Sequence, residues 1–181
     1  MDANNYLLGL AKRNVQAYVT NPKARAAMVT GSVAEGECDF YSDIDISIYY
    51  DELPTEEELE SVRHNNQGSA RLWFLGDRSE GGFAEAYKVN GVECQFGHVT
   101  INQWEHDMAT VLEQLDVTSW VQKALSGIVI CIPLYGEELI NHWKQVAANY
   151  PDALAVAMVK KHLQFFGLWG LQENYFVIRD G

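Results

Sequence analysis

The run Asp43-Ile44-Asp45-Ile46-Ser47-Ile48-Tyr49-Tyr50 alternates with a period of two, which commits it to a strand with two unlike faces. Ile44, Ile46 and Ile48 share one face, and Asp43 and Asp45 share the other. Residues two apart on a strand are separated by roughly 6.5–7 Å, close enough for both carboxylates to converge on hard cations. The plainer reading is a half-buried strand with an acidic face in water. Aspartate is depleted in strands, however, and two on one face with no basic residue among their immediate neighbours repel unless something cationic sits there. Upstream, Ala26 to Thr30 is small and apolar, a buried strand that stops at Gly31-Ser32. A glycine at that point lets the backbone approach a bulky anion, and the serine adds a hydroxyl and an N–H.

Taken in order, Gly31-Ser32, the second glycine Gly36, and Ser42-Asp43-Ile44-Asp45 resemble the signature of the polymerase-beta-like nucleotidyltransferase superfamily. Within it the motif is most similar to small bacterial enzymes of the aminoglycoside and lincosamide type. The resemblance implies an α/β (α+β) fold, with a mixed, mainly antiparallel sheet flanked by helices and a C-terminal helical bundle. It implies transfer of a nucleoside monophosphate, AMP from ATP or its equivalent from another NTP, to an acceptor hydroxyl with release of pyrophosphate. Two Mg2+ ions on Asp43 and Asp45, and contacts to the nucleotide from Gly31, Ser32 and Ser42, belong to the same implication. An antibiotic-like acceptor, and hence a part in antibiotic resistance, follows from the nearest relatives. A protein-modifying enzyme of the antitoxin kind and a silent nucleotide-binding module are the alternatives. Glu35 stands where many relatives carry a basic or small residue, so triphosphate affinity is expected to lean on groups elsewhere.

The family pattern also implies a third carboxylate on a later strand. Phe83 to Val89, then Asn90-Gly91, then Val92 to Phe96 reads as a hairpin closed by a type I′ turn. A two-residue loop pairs Val89 with Val92, Lys88 with Glu93 and Tyr87 with Cys94. Tyr87, Val89, Val92, Cys94 and Phe96 then form the apolar face, while Glu93 and Gln95 point the other way. If that face adjoins the aspartates, Glu93 is the third metal ligand or the base for the acceptor hydroxyl. Its alternative is a cross-strand ion pair with Lys88, and Lys88 can equally touch a phosphate. Glu85 falls on the opposite face, and His98 reads as a structural histidine.

The chain has 181 residues, 48% of them hydrophobic, enough for a real core. Its net charge of -12 argues against a nucleic-acid or membrane-surface partner, both of which favour a basic patch. Cys38, Cys94 and Cys131 are odd in number and widely spaced, which points to a reducing cytoplasm rather than a disulfide framework. No export signal or membrane-spanning stretch is visible.

Residues 1–100 read as the catalytic domain. Asn4 to Thr20 is helical, Thr55 to Glu60 opens a helix with a capping box, Ala70 to Leu75 is a strand, and Gly76 to Gly82 is a mobile loop carrying a solvated Arg78. Residues 101–181 read as a helical region, with helices over Ile101–Leu115, Thr118–Leu125, Glu137–Asn149 and beyond Pro151. Ile128 to Leu134 fits strand and helix equally. Lys160, Lys161 and His162 interrupt the apolar surface of the last helix; the resemblance implies basic groups of this region on the triphosphate, and the plainer reading is a helix-end or snorkelling role. This region is shorter than in antibiotic-modifying relatives, so the chain reads as short or as a truncated form, which either removes acceptor contacts or calls for a homodimer or a helical partner.

Overall fold

Alternation of apolar and polar residues builds a six-stranded sheet in the computed structural model, which describes residues 2–119 and 121–168. The strands are β1 (Ala24–Thr30), β2 (Ile44–Tyr50), β3 (Trp73–Asp77), β4 (Gly82–Val89), β5 (Val92–Thr100) and β6 (Ile132–Tyr135). Their order is β3-β4-β5-β2-β1-β6. Among the described residues β2 and β5 form the one parallel pair, and the other neighbours run antiparallel. The expected mixed, mainly antiparallel sheet with helices on its faces is therefore what the chain forms.

Each face of the sheet is covered differently. Ile44, Ile46 and Ile48 join Tyr87, Cys94 and Phe96 in one core, under α1 (Ala3–Val19) and α3 (Glu56–Asn65). Helix α1 buries Leu7, Leu10, Ala11, Asn14, Val15 and Tyr18, the three-and-four spacing of a single helical stripe. Helix α3 has the capping box expected from Thr55 and Glu58, with the hydroxyl and the carboxylate each bonding the other residue's backbone N–H. On the opposite face, Ala26, Met28 and Tyr49 pack under α4 (Ile101–Gln114), α5 (Val121–Ile130) and α6 (Glu137–Ala148), with Trp104 and Trp143 at the centre. Helix α7 (Asp152–Leu168) joins this core through Leu154 and Met158 and leaves Val156, Val159 and Leu163 exposed.

The Asn90-Gly91 hairpin has the expected register, Lys88 opposite Glu93 and Tyr87 opposite Cys94, with both turn residues at positive φ. Other elements depart from expectation. The first edge strand starts at Trp73 and runs through Asp77, the residues that pair with Ala86 to Gly82 of β4, and the backbone at Gly76 lies so close to Phe83 that there is scant room for a side chain. The loop expected to be mobile shrinks to a 3-10 turn over Arg78–Glu80, tied by Asp77, which accepts from the N–H and hydroxyl of Ser79. Arg78 is not solvated. It donates to the carbonyl of Pro54 and lies 4.5 Å from the centroid of the Phe83 ring. Thr118 and Ser119 stand outside α5, whose described residues run Val121–Ile130. The ambiguous run from Ile128 divides at Cys131, since Pro133 can neither continue a helix nor donate to a ladder, and it sits in the edge strand β6 against Met28. That strand brings the later half of the chain back to the sheet. Phe165, Phe166 and Leu168 lie beyond the residues whose side chains are described, and Trp169 beyond those described at all.

Candidate functional site

The site forms where β1 ends and β2 begins. Thr30 pairs with Asp45 across the β1–β2 ladder, and Asp45 pairs with Gln95 across β2–β5. Paired residues face the same way, so Asp45, Gln95 and the flanking Asp43 and Glu93 rise on the face opposite Ile44 and Cys94. Between the strands, α2 (Gly31–Glu35) turns the chain and closes on Gly36 in the left-handed conformation. Gly31 itself has φ +62°, and a Cβ there would overlap the Asp45 carboxylate. The glycine thus serves close approach of the turn to the aspartate as well as a backbone angle that L side chains disfavour.

Asp43 accepts a hydrogen bond from the side-chain amide of Gln95 at 2.7 Å. Ser42, expected on the nucleotide, spends its hydroxyl locally, donating to Asp39 Oδ1 at 3.1 Å and accepting from the Asp39 N–H at 3.0 Å. It fixes the turn that delivers Asp43 to the strand. Asp43, Ser42, Lys88 and Glu93 line one cavity of about 480 Å³. Glu93 accepts from the indole N–H of Trp73 at 3.3 Å. Lys88 and Glu93 are register partners, yet among the described residues they form no ion pair.

Burial, and then repulsion from Asp43, raise the Asp45 carboxyl above its usual range, while Lys123 on α5 opposes them. Two carboxylates that repel across a partly desolvated gap fit a divalent cation, and magnesium takes only one or two carboxylates with phosphate and water completing its shell. Among the described residues no group of three histidine, cysteine or acidic side chains is gathered closely enough to hold an ion. Asp43 and Asp45 fit a metal as a pair, with Glu93 drawn toward Trp73.

Sequence reasoning missed Lys123, Trp73 and the role of Gln95. Gln95 was legible as a neighbour of Glu93 on the same face, but its bond to Asp43 follows from the β2–β5 register. Lys123 sits in a helix with no motif to mark it. Glu85, on the far face, is fully buried and bonded to Arg71 at 2.6 Å. His98 lies beside it, its Nδ1 paired with the Tyr50 hydroxyl at 3.0 Å, and is structural as expected.

Residues 15–116 match the family described as the Nucleotidyltransferase domain. The chain belongs to that family. Among solved structures, it is similar to a nucleotidyltransferase-like protein from Exiguobacterium sibiricum at 10% identity and a TM-score of 0.47, covering 82% of this chain and 41% of that one. A cytoplasmic RNA terminal U-transferase is similar at 17% identity and a TM-score of 0.33, covering 71% of this chain and 35% of that one. The chain thus spans less than half the length of either. No curated protein matches it. Among the described residues no helix is long and apolar enough to cross a membrane.

Proposed function

We propose that this chain is a metal-dependent nucleotidyltransferase that moves a nucleoside monophosphate, AMP from ATP or its equivalent from another NTP, onto a hydroxyl of a small molecule. The observation that carries this reading is the Asp45 carboxylate seated against the Gly31 turn, partly desolvated and repelled by Asp43. Asp43 and Asp45 would hold Mg2+, which, when bound, offsets charge on the phosphates and orients them. The backbone of Gly31 and Ser32 takes the phosphate side, and Lys88 and Lys123 supply the positive charge that Glu35 does not. The acceptor oxygen attacks the α-phosphorus and the bond to the bridging oxygen breaks, so that pyrophosphate leaves; the hydroxyl proton passes to Glu93. Residues 1–100 then carry the donor half, and residues 101–181 contribute Lys123 and the surroundings of the acceptor. An aminoglycoside-like or lincosamide-like acceptor is the first class to try. The exposed Val156, Val159 and Leu163 of α7 favour a second reading, in which the acceptor is a protein.

Incubation with Mg2+ and ATP against a panel of hydroxyl compounds and candidate proteins should yield pyrophosphate and an acceptor heavier by one nucleotide in mass spectrometry. Asp45→Asn should reduce that yield by at least about 100-fold, the scale on which removing one group that stabilises the transition state acts. Equal ATP binding by wild type and variant, with and without Mg2+, would sink the metal-site reading.

A further inference from the structure

Trp73 reaches across a strand to hold the carboxylate that stands apart from the aspartate pair. It lies on the edge strand β3, its register partner on β4 is Ala86, and Ala86 in turn pairs with Gln95 on β5. Gln95 pairs with Asp45, so the four residues form one row on one face of the sheet. The indole N–H ends not on that row but on Glu93 Oε1 at 3.3 Å, two strands away and two residues before Gln95. A bond from β3 to β5 has to pass over β4, and β4 carries only a methyl group at the crossing. Ala86 is fully buried there, while Ala84, two residues earlier on the same face, is part-exposed. Gln95 makes the same diagonal reach, to Asp43. Each of the two outlying carboxylates thus accepts one N–H from the row behind it, and among the described residues Asp45 accepts none.

The donor on Glu93 is neutral. Lys88, its register partner, forms no ion pair with it among the described residues, so the indole alone fixes the carboxylate. Glu93 lines the cavity that Asp43 also lines, and Trp73 is not among its described walls, so the indole holds the carboxylate from outside. A cation on a carboxylate favours its charged form and so weakens it as a base. A carboxylate that is to take a proton therefore gains from being kept off the ion.

We propose that Trp73 is a positioning residue for nucleotidyl transfer: by holding Oε1 it keeps Glu93 off the metal pair and leaves Oε2 for the acceptor hydroxyl. The proposal rests on the nucleotidyltransferase reading above and gives Glu93 one of its two candidate roles, base and not ligand. As the acceptor oxygen bonds to the α-phosphorus and pyrophosphate leaves, the hydroxyl proton goes to Oε2. Oε1 remains an acceptor with or without that proton, so the bond to Trp73 survives the transfer.

The indole N–H signals of the full chain read this hold without turnover. Trp73→Phe identifies the Trp73 signal by its loss, and Glu93→Gln should shift it, since a carboxylate is a stronger acceptor than an amide. Saturating Mg2+, alone and with ATP, should move it less than half as far. A signal that Glu93→Gln does not move, or that Mg2+ moves half as far or more, would overturn the proposal: the first outcome removes the bond, the second hands Glu93 to the metal. With water as the probe acceptor, Mg-dependent cleavage of ATP to AMP and pyrophosphate should fall about tenfold in kcat in Trp73→Phe, at a KM for ATP within twofold. Added to Glu93→Gln, the same change should slow it no further. A raised KM at unchanged kcat, or an equal further loss in the Glu93→Gln background, would reduce Trp73 to a structural residue. Indole shifts as expected with no pyrophosphate from water or any other acceptor would sink the transfer reading and leave the hold of Trp73 on Glu93 standing.

Discussion

At Gly31 two separate constraints meet in one residue. Its φ of +62° belongs to the left-handed region, which costs an L residue about 1–2 kcal/mol, and the space for a Cβ is taken by the Asp45 carboxylate. Gly31→Ala should therefore lower stability by about 2 kcal/mol or more in urea unfolding, since overpacking adds to the backbone cost. Asp45→Ala removes the carboxylate and with it the overlap. In that background the same Gly31→Ala change should cost only about 1–2 kcal/mol, and the difference is the coupling between the two positions. Equal costs in both backgrounds would mean that the turn does not press on Asp45. The alternation of Asp43 and Asp45 with isoleucine was readable from the sequence because a period of two assigns faces without reference to partners. The bond from Gln95 to Asp43 and that from Trp73 to Glu93 were not, because each depends on which strands become neighbours.

Elements whose signals are local were the ones the sequence specified best. The Asn90-Gly91 turn sets its own register, and Thr55 with Glu58 caps α3 through bonds that span three residues. Thr55→Ala should cost about 1 kcal/mol of stability, the usual worth of an N-cap, read as a shift in the urea midpoint at unchanged slope. A shift of a few tenths or less would mean that packing of Leu59, not the cap, holds this helix. Elements whose boundaries depend on tertiary neighbours were read less well. The edge strand β3 takes its limits from β4, the Arg78 turn from its contacts with Pro54 and Phe83, and β6 from pairing with β1. Pro54 and β1 are distant in sequence from the residues they fix, and only β4, with Phe83, follows closely. The same dependence explains why Lys123 escaped notice: α5 lies against Thr30 through Gly127, which brings Lys123 into the field of Asp45.

Across the whole molecule, the sheet separates two chemistries, with the aspartates on one face and a buried Glu85, Arg71 and His98 cluster on the other. His98 is fully enclosed, 4.7 Å from the Phe83 ring and 5.5 Å from that of Tyr18, with Tyr50 on Nδ1 and Glu85 at 3.8 Å from Nε2. Burial pushes its pKa below the usual 6.5, and Arg78 and Arg71 add to that although Glu85 opposes them. Burial alone would raise the Glu85 carboxyl, but His98 and Arg71 outweigh it and leave it below its usual 4.5. Both shifts act in one direction. As pH falls through 6.5, the unfolded chain takes up the imidazole proton before the folded chain does, so stability is lost; Glu85 adds a second loss below pH 4.5. The slope attributable to His98 is at most about 1.4 kcal/mol per pH unit. Urea unfolding at pH 7.5, 6.5 and 5.5 should therefore show declining stability, with most of the change between the last two. His98→Gln, which keeps a partner for the Tyr50 hydroxyl, should flatten that interval while lowering stability at pH 7.5. A decline between pH 6.5 and 5.5 that survives in the variant would place the titrating group elsewhere. A flattened one would tie acid sensitivity to the face of the sheet away from the aspartates, and separate unfolding at low pH from any effect of protonating Asp45, whose carboxyl is raised by burial and by Asp43.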